Sequence, residues 1–332
     1  METLRIAVTG GAGFVGSHAA KRLIQKGHEV LIIDNLSSGS IQNLKDLGIE
    51  QDCMIGDLRD YNFAKEALKG ADIVYHFAAE VGSVEYLHGS IAKELAALQA
   101  NVTIDANVLR SCVENGINRI LYASSVSVYP YSRQLADDAV FKEEDFSFHA
   151  DPEGGYGWAK YIAERQLFGM KDMHAGIARI FHAYGENIYL APDRSQVIAS
   201  LIRKAVMYPK EDFVVWGDGK QKRCFVFIDD TIEAIELIRQ YADKNGTCAF
   251  NVGSEEEVTI GRLAEMIVGI SQKGIRVSYD TSKPKGARSR KPDLSLVSRV
   301  LGWKPKTSLK DGLKRTFLWA ERRLQYGAVK AN

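Results

Sequence analysis

The feature that most restricts the fold of this chain is a glycine-rich turn between an apolar run and an amphipathic segment. Residues 9–16 read TGGAGFVG, and Gly10, Gly13 and Gly16 are spaced three apart. This spacing suits a strand-to-helix turn, in which glycines permit the tight turn, the approach of a pyrophosphate and close helix–strand packing. A glycine triplet alone also fits an ordinary turn, so the surrounding sequence has to decide between the two interpretations.

Six short β-rich runs alternate with amphipathic segments in the first half of the chain. The runs cover residues 4–9, 29–33, 52–55, 72–76, 119–123 and 176–181, and the helical patterns cover 14–26, 64–68, 92–115 and 157–170. Such alternation predicts right-handed βαβ units and a parallel sheet with helices on both faces. We therefore predict an α/β fold, a Rossmann-type doubly wound parallel sheet with a smaller α+β substrate lobe.

The alternation changes after about residue 183. Short strands are predicted at 213–216, 225–228, 249–252 and 275–279, and helices at 194–207, 229–241, 259–271 and 309–324. We expect a dinucleotide-binding domain over residues 1–183 and the smaller lobe over 184–332, interwoven with the first domain through helix 157–170. Residues 284–305 are basic and punctuated by Pro and Gly, which predicts a loop.

Composition limits the class of protein. The 332 residues include 43 Lys and Arg against 42 Asp and Glu, a formal charge of +1, which argues against a nucleic-acid coat. No apolar run approaches the roughly 20 residues of a membrane-spanning helix. The four cysteines are far apart and form no CxxC pair. They predict reduced thiols in a cytoplasmic protein and no metal site.

The charge balance is the sum of two opposite local excesses. Residues 137–153 are acidic, whereas residues 283–291 carry five basic side chains and no acidic one. The basic stretch predicts a site for one small dianion in the second half of the chain.

An acidic residue supports a dinucleotide at the glycine turn. Asp34 ends the second predicted strand about 20 residues beyond the turn, where a carboxylate would accept hydrogen bonds from the adenosine ribose. Asn35 follows, and no arginine stands there to bind a 2′-phosphate, which favours NAD over NADP. The new helix, which begins near Phe14 and Val15, would present free N–H groups to the phosphates.

A Tyr-x-x-x-Lys pattern stands at a helix start after the fifth predicted strand. Tyr156 and Lys160 are one helical turn apart and therefore share a face. A phenol with a pKa near 10 is a poor base at neutral pH, but a neighbouring ammonium and a positively charged nicotinamide would favour the phenolate. Ser125, at the strand end, can hydrogen-bond a substrate oxygen. These three residues predict a catalytic acid–base group.

Together these motifs resemble the extended short-chain dehydrogenases/reductases, in the branch of nucleotide-sugar epimerases and dehydratases. The resemblance spans essentially the whole chain and includes WGDGKQKRC at 216–224 and GARSRKPD at 286–293. It implies an NAD-dependent enzyme that acts on a GDP- or UDP-linked sugar. It also implies a homodimer formed through helices 92–115 and 157–170.

The resemblance implies roles for further residues. Those on the cofactor, besides the glycine turn and Asp34, would be Asn35, Asp57, Leu58, Phe77, Ala78, Ala79, Ser124, Tyr156, Lys160 and Phe181. Those near the substrate would be Glu80, Ser127, His182, Arg223, Arg288 and Arg290. Arg223 with Arg288 or Arg290 would clamp the diphosphate, because arginine forks match phosphate oxygens. The arginines also fit a solvated basic loop, and His182 fits either a phosphate contact or interior packing.

Departures from the family pattern indicate the reaction. The second lobe is similar to GDP-mannose 3,5-epimerases, but those enzymes have Cys at the position of Ser127 and Lys at that of Gln196. The 4,6-dehydratases carry Asp-Glu at the positions of Val126 and Ser127. Ser and Gln do not supply the base that removes a proton beside a keto group. Hydride transfer remains, which predicts 4-epimerisation through a transient 4-keto sugar.

Three alternatives stay open. A 4-dehydrogenase or 4-keto reductase would use the same residues and exchange its cofactor. A 3,5-epimerase or dehydratase would need unexpected roles for Ser127 or Glu80. A non-catalytic NAD-binding protein is the least favoured, because Ser125, Tyr156 and Lys160 are all present.

Overall fold

The computed structural model describes residues 3–147, 150–283 and 286–327. Its strands are β1 Arg5–Thr9, β2 Glu29–Asp34, β3 Cys53–Ile55, β4 Ile73–His76, β5 Arg119–Ser125, β6 Val140–Phe141, β7 His174–Ile180, β8 Ala183–Tyr184, β9 Val214–Trp216, β10 Lys222–Cys224, β11 Val226–Phe227, β12 Cys248–Val252, β13 Glu257–Thr259, β14 Ser278–Asp280 and β15 Lys291–Pro292. Its helices are α1 Phe14–Gln25, α2 Ile41–Asp46, α3 Tyr61–Ala67, α4 Val84–His88, α5 Ile91–Glu114, α6 Tyr131–Gln134, α7 Gly154–Gly169, α8 Val197–Met207, α9 Ile228–Asn245, α10 Ile260–Ser271, α11 Ser295–Leu301 and α12 Leu309–Gly327.

Seven parallel strands form the central sheet, in the order β12-β7-β5-β4-β1-β2-β3. Ile6, Ala7 and Val8 of β1 are at most 1% exposed, as expected for a strand covered by helices on both faces. The prediction of a Rossmann-type doubly wound parallel sheet is confirmed.

The strand order reverses between β1 and β4. The chain moves outward from β1 through β2 to β3, then returns to place β4 on the other side of β1. Such a reversal opens a crevice at the carboxyl ends of the strands, where ligands of open α/β sheets bind. The glycine turn after β1 and residues 77–80 after β4 both lie at this crevice.

The edge strand β12 corrects one prediction. We expected a strand at 249–252 in the smaller lobe, but β12 pairs in parallel with β7 and completes the central sheet. Helix α9 precedes it and packs on the same sheet, since a Cβ on Gly176 would lie 3.2 Å from the Arg239 backbone. A five-residue strand carries no local sign of its partner, because sheet pairing is a tertiary choice.

A second correction concerns residues 284–305, which were predicted to form a loop. The segment contains β15, which pairs with β6, and helix α11; Pro284 lies outside the described residues. The Asp293 carboxylate accepts the Ser295 N–H at 2.8 Å, and Gly302, with φ +66°, ends the helix. An Asp before and a Gly after an apolar run are helix boundary signals, which the Pro-rich composition had concealed.

Short strand pairs accompany the helices beyond β7. They are β8 with β11, β9 with β14, and β10 with β13. Within the described ranges, no helix is long and apolar enough to cross a membrane, and no group of three or more His, Cys, Asp or Glu side chains could hold a metal. The four cysteines are free thiols.

Candidate active site

The glycine turn is too tight for side chains. Gly10 has φ +66°, and a Cβ on it would lie 2.7 Å from the Ala78 nitrogen. A Cβ on Gly16 would lie 2.1 Å from the Gly10 carbonyl oxygen, which also accepts the Gly13 N–H at 3.0 Å. Helix α1 then begins at Phe14 with no acidic residue in its first turn. Its N-terminus is therefore free to attract an anion.

The Asp34 carboxylate is held beside this turn. It accepts the N–H groups of Ala12 at 3.0 Å and Leu36 at 2.8 Å. Burial raises the pKa of Asp34, and these backbone donors oppose the rise. A Cβ on Gly39 would lie 2.8 Å from the carboxylate oxygens, so the backbone approaches Asp34 closely on this side as well. The position suits recognition of a ribose diol.

The sequence analysis did not consider Arg59, which lines the same end of the crevice. Its Nε donates to Asp57 Oδ1 at 3.0 Å. Hydrogen bonds from Arg59 are the main cause that lowers the pKa of Asp57 to about 2. Because Asp57 balances its charge, Arg59 is not a free cation for a 2′-phosphate, which agrees with NAD.

One cavity joins most of the predicted site residues. Those that line it are Gly10, Gly13, Phe14, Val15, Gly16, Asp34, Asn35, Asp57, Leu58, Phe77, Ala78, Ala79, Glu80, Ser124, Ser125, Ser127, Tyr156, Lys160, His182 and Arg290. A turn without side chains, a helix N-terminus and a carboxylate for the ribose together fit a dinucleotide.

Helix α7 carries Tyr156 into this cavity. It begins at Gly154, three residues before the predicted start, so Tyr156 lies in its first turn. A Cβ on Gly155 would lie 2.1 Å from the Glu94 carbonyl oxygen, and one on Gly157 would lie 2.5 Å from that of Ser127. The glycines on either side of Tyr156 therefore let the helix approach α5 and the end of β5.

Ser125 and Tyr156 form the reactive contact. The Ser125 hydroxyl lies beside the Tyr156 phenol and accepts the Ser127 N–H at 3.2 Å. Burial raises the pKa of Tyr156, and the Ser125 hydroxyl opposes that rise. The phenol is thus protonated in the ligand-free protein, and Ser125 favours its ionised form.

Lys160 lies in the same cavity but not against the phenol. Its Nζ is 4.5 Å from the Tyr122 ring centre and 6.0 Å from that of Tyr156. Burial lowers the pKa of Lys160, and the carboxylates of Asp105 and Glu164 oppose the fall. The ammonium is therefore held by cation–π contact and by two buried carboxylates.

Asp105 is a buried carboxylate that the sequence analysis did not identify. It is 2% exposed, lies 3.0 Å from His76 Nε2 through Oδ1, and accepts the Tyr122 hydroxyl at 2.9 Å through Oδ2. Burial lowers the pKa of His76, so the imidazole is neutral and donates to Asp105. The other ring nitrogen of His76 lies 2.6 Å from the Thr9 hydroxyl. Through His76 and Thr9, the carboxylate that faces Lys160 is connected to β1, the strand before the glycine turn.

Glu164 has a different partner. Its carboxylate receives the Arg179 guanidinium, with Nη2 2.7 Å from Oε2, and also the Ser124 hydroxyl. Glu164 and Arg179 are at most 1% exposed. Since Arg179 balances Glu164, Asp105 is the main counter-charge for Lys160.

Glu153 joins Ser127 and Arg290 on the cavity wall. The Ser127 hydroxyl donates to Glu153 Oε2 at 3.1 Å, and Arg290 forms an ion pair with the same oxygen. Glu153 is 8% and Arg290 9% exposed. Burial would raise the pKa of Glu153, but Arg290, His88 and Ser127 together lower it. The carboxylate therefore stays ionised at neutral pH.

A second ion pair lies on the cavity wall near the end of β4. Arg194 Nη1 is 2.9 Å from Glu80 Oε1, which also accepts the Tyr86 hydroxyl. The Arg194 guanidinium stacks over the Tyr86 ring at 4.6 Å, and Asn101 holds the Glu80 backbone through two hydrogen bonds. The Glu80 carboxylate is thus occupied in the ligand-free protein.

Three predicted site residues do not line the cavity. Phe181 is fully buried and packs on Tyr129, with ring centres 6.0 Å apart. Arg288 is exposed and pairs with Asp137 at 2.8 Å. Arg223 is buried behind the wall, where its Nη1 donates to the Lys222 carbonyl at 2.7 Å.

His182 lines the cavity in a left-handed conformation, with φ +54°. Burial and the nearby charges of Arg223 and Arg290 keep its pKa well below the usual range. Its Nδ1 is buried and has no hydrogen-bond partner. The imidazole is therefore neutral and would meet a phosphate as a dipole and not as a cation.

The acidic and basic stretches of the sequence bind each other. Asp137 pairs with Arg288, and Glu153 pairs with Arg290, while β6 pairs with β15. These ion pairs partly neutralise the basic stretch, so fewer of its charges remain for the small dianion that the sequence predicts there.

The sequence contained a signal for only some of the residues that were missed. Asp105 lies among Ile104, Val108 and Leu109 on the apolar face of α5, where a buried carboxylate needs a partner. Glu153 precedes a helix, where an acidic residue is ordinarily a cap, and Arg194 gave no local signal.

Known proteins share this fold and much of this sequence. Residues 6–253 match the model of the family described as "NAD dependent epimerase/dehydratase family". GDP-mannose 3,5-epimerase 1 of Oryza sativa subsp. japonica is 30% identical over 98% of this chain and 83% of its own length. The solved structure of UDP-glucose 4-epimerase from Thermotoga maritima with UDP-glucose has a TM-score of 0.83 and 25% identity, covering 97% of this chain and 100% of that one.

A third neighbour contains the cofactor. The structure of DesIV, a dTDP-glucose 4,6-dehydratase from Streptomyces venezuelae, has NAD bound, with a TM-score of 0.80, 26% identity and 98% of both chains covered. The predictions of the family and of NAD are confirmed. With its glycine turn, its Asp34 and its Tyr156–Lys160 helix, this chain belongs to the NAD dependent epimerase/dehydratase family of enzymes.

Proposed function

We propose that this chain is a nucleotide-sugar 4-epimerase. The observation that carries the proposal is that Ser125, Tyr156 and Lys160 share one cavity with Ser127 and Gln196. The first three residues serve hydride transfer at a carbinol carbon, whereas Ser and Gln supply no base for removing a proton from a neighbouring carbon. Glu153 is a carboxylate beside Ser127, but its lowered pKa makes it a weak base.

Tyr156, Ser125 and Lys160 would have different roles in this reaction. NAD, held at the glycine turn and Asp34, would supply the acceptor and then the donor of a hydride. Tyr156 accepts the proton of the 4-hydroxyl group, and Ser125 hydrogen-bonds the same oxygen. After the 4-keto sugar has turned over in the cavity, carbon 4 would receive the hydride on its other face, and Tyr156 would return the proton to the carbonyl oxygen. The Lys160 ammonium, 6.0 Å from the Tyr156 ring centre, favours the phenolate at longer range.

The nucleotide diphosphate would bind near Arg223 and Arg290. Burial and the charge of Arg290 lower the pKa of Arg223 to about 9, so the two guanidinium groups repel each other. Glu153 pairs directly with Arg290, which lines the cavity and would contact the diphosphate. Arg223 lies behind the wall and would attract the diphosphate by its charge at longer range. A UDP-linked and a GDP-linked hexose both satisfy this requirement.

A 3,5-epimerase is the second candidate. The 30% identity to a GDP-mannose 3,5-epimerase over 98% of the chain favours it, and Glu80 and Glu153 are the carboxylates it could use. A 4-dehydrogenase or 4-keto reductase would need the same residues as the 4-epimerase and would release its reduced cofactor.

The test is to incubate the purified holoenzyme in deuterium oxide with UDP-glucose, UDP-galactose and GDP-mannose, and to analyse the sugars by NMR. We expect a 4-epimer without deuterium on carbon. Deuterium at carbon 3 or carbon 5 would replace the proposal with 3,5-epimerisation. Accumulation of free NADH, read at 340 nm without an epimer, would replace it with a dehydrogenase.

We also propose a cytoplasmic homodimer. Ile91 and Leu95 of α5 are 89% and 50% exposed, and Trp158 and Ile162 of the adjacent α7 are 39% and 36% exposed. Apolar side chains on two paired helices suit burial against a second copy, and the four free thiols suit a reducing compartment. Sedimentation should give a dimer, and Ile162→Glu should give monomers.

A further inference from the structure

We propose that Glu153 is a positioning residue of the sugar site, which accepts the hydrogen bond of the Ser127 hydroxyl and so leaves the Ser127 oxygen as an acceptor for a hydroxyl group of the sugar. The proposal rests on the nucleotide-sugar function proposed above. It adds a requirement on the substrate, namely a free hydroxyl group near the reacting carbon.

The geometry of Glu153 is unusual for its place in the helix. It stands at the N-cap of α7, yet its side chain caps no backbone N–H. The carboxylate is turned towards Ser127, whose hydroxyl donates to it at 3.1 Å. The backbones are tied as well, because the Glu153 N–H donates to the Ser127 carbonyl at 3.0 Å. The pair is thus a built part of the cavity wall.

The charge of Arg290 fixes the direction of this hydrogen bond. Arg290 pairs with the same oxygen of Glu153 that accepts the Ser127 hydroxyl. Held by a guanidinium, the carboxylate is ionised and can only accept. The single proton of Ser127 is therefore committed to Glu153, and only the lone pairs of Ser127 remain for a ligand. The Arg290 Nε atom is buried and has no hydrogen-bond partner. No other acceptor therefore competes with Glu153 for Arg290 at that nitrogen.

Ser125 has the opposite polarity. It accepts the Ser127 N–H at 3.2 Å and lies beside the Tyr156 phenol, which is a neutral group and not a carboxylate. Its proton is therefore not committed to an ionised acceptor and can turn to a substrate oxygen. Two hydroxyl groups two residues apart thus present a donor and an acceptor. Ser125 would donate to the oxygen on the reacting carbon, and Ser127 would accept from the hydroxyl group on carbon 3 or carbon 6, the two that lie nearest to that carbon. With a sugar that lacks this hydroxyl group, the Ser127 oxygen would remain a buried acceptor without a donor. The value of kcat/KM for that sugar would therefore be lower.

The test compares UDP-glucose and GDP-mannose with their 3-deoxy and 6-deoxy forms, which remove the two hydroxyl groups nearest to carbon 4. For the wild-type holoenzyme, kcat/KM should fall about tenfold to a hundredfold for one deoxy form. Glu153→Gln and Ser127→Ala should both lose this discrimination. The double variant should equal Ser127→Ala, because the two residues act as one unit. Glu153→Asp, which keeps the charge, should retain part of the discrimination.

Glu144→Gln is the matched control, since Glu144 is an exposed carboxylate outside the cavity, and it should discriminate as the wild type does. NAD content and the unfolding midpoint are measured for every variant. Full discrimination in Glu153→Gln or in Ser127→Ala would overturn the proposal, and either variant suffices if the other does not fold. Carbon deuteration that disappears in Glu153→Gln would also overturn it, because Glu153 would then be a base. A wild type that converts neither sugar would refute the proposed function, and the proposal with it.

Discussion

The two ends of the cavity are built in different ways. The dinucleotide end is built mainly from backbone, with the glycine turn and Asp34 inside residues 9–34 and the Asp57–Arg59 pair beside them. The sugar end consists of side chains far apart in the chain, such as Ser127, Glu153, Arg194 and Arg290. A backbone-built end tolerates little change, whereas a side-chain-built end can change its chemistry one residue at a time. This difference explains how relatives with one fold and one cofactor carry out different reactions.

The largest expected effect lies where the two ends meet. Tyr156→Phe should lower turnover by about 10²–10⁴-fold, because no other cavity group replaces the phenol as the acid and base. NAD should stay bound, as judged by absorbance of the released cofactor. Tyr161→Phe on the same helix, where Tyr161 packs on Phe146 at 4.5 Å, is the control. A Tyr156→Phe enzyme with near-normal turnover would contradict the assignment.

At the backbone-built end, Gly10→Ala should lower both the free energy of unfolding and the content of bound NAD. Both Gly10 and Gly27 have positive φ, but a Cβ on Gly10 would lie 2.7 Å from the Ala78 nitrogen, whereas one on Gly27 meets nothing within 4 Å. Gly27→Ala should therefore lower the free energy of unfolding only by the cost of holding an alanine in the left-handed conformation, about 1–2 kcal/mol. Urea unfolding should show a greater loss for Gly10→Ala, with reduced NAD content. Equal losses would mean that the turn can relax.

The network behind Lys160 links the two ends, and Asp105→Asn tests it. Asp105 raises the pKa of both Tyr156 and Lys160, against burial in the case of Lys160. Removing its charge lowers both pKa values. Catalysis needs Tyr156 ionised and Lys160 protonated, so both limbs of the kcat profile should move to lower pH.

Asp172→Asn, at an exposed carboxylate, should leave that pH profile in place. An unmoved profile in Asp105→Asn would show that Glu164 alone sets the charge of Lys160.

The smallest expected effect is at the adenosine end. The pKa of Asp57 is lowered to about 2 by Arg59, so Asp57 stabilises the fold above its unfolded pKa, and this contribution is lost as pH falls towards 2. Asp57 is about one-third exposed, which screens the pair and keeps the contribution below about 1 kcal/mol. Urea unfolding should show a small deficit for Asp57→Asn at pH 6 that shrinks at pH 3. A deficit that grows on acidification would contradict this sign.

The contrast between the two ends also explains what could be predicted from the sequence. The glycine turn and Asp34 are local signals, because a strand, a turn and a helix N-terminus are contiguous. The Tyr156–Lys160 pair is visible for the same reason, since one helical turn relates the two residues. The parallel sheet and six of its strands followed from the alternation of strands and helices, whereas the strand order was not predicted and β12 was assigned to the smaller lobe.

The sugar end depends on tertiary contacts. Glu153 and Arg290 are far apart in sequence and meet because β6 pairs with β15, a pairing of two-residue strands with no sequence signature. The ammonium of Lys160 lies over Tyr122 because Asp105 stands behind that ring. The spacing of Tyr156 and Lys160 predicts that they share a helix face. It contains no information on Asp105, the counter-charge of Lys160, which lies on α5.

The position of β12 has a consequence for the order of synthesis. Strand β7 has β5 on one side and β12 on the other, and residues 181–247 separate β7 from β12. During translation one edge of β7 therefore remains open until residues 181–247 and β12 have been made. A fragment ending at residue 183 should aggregate, whereas one ending after residue 253 has the whole sheet. The central sheet is thus completed only after the chain has built the first part of the neighbouring lobe.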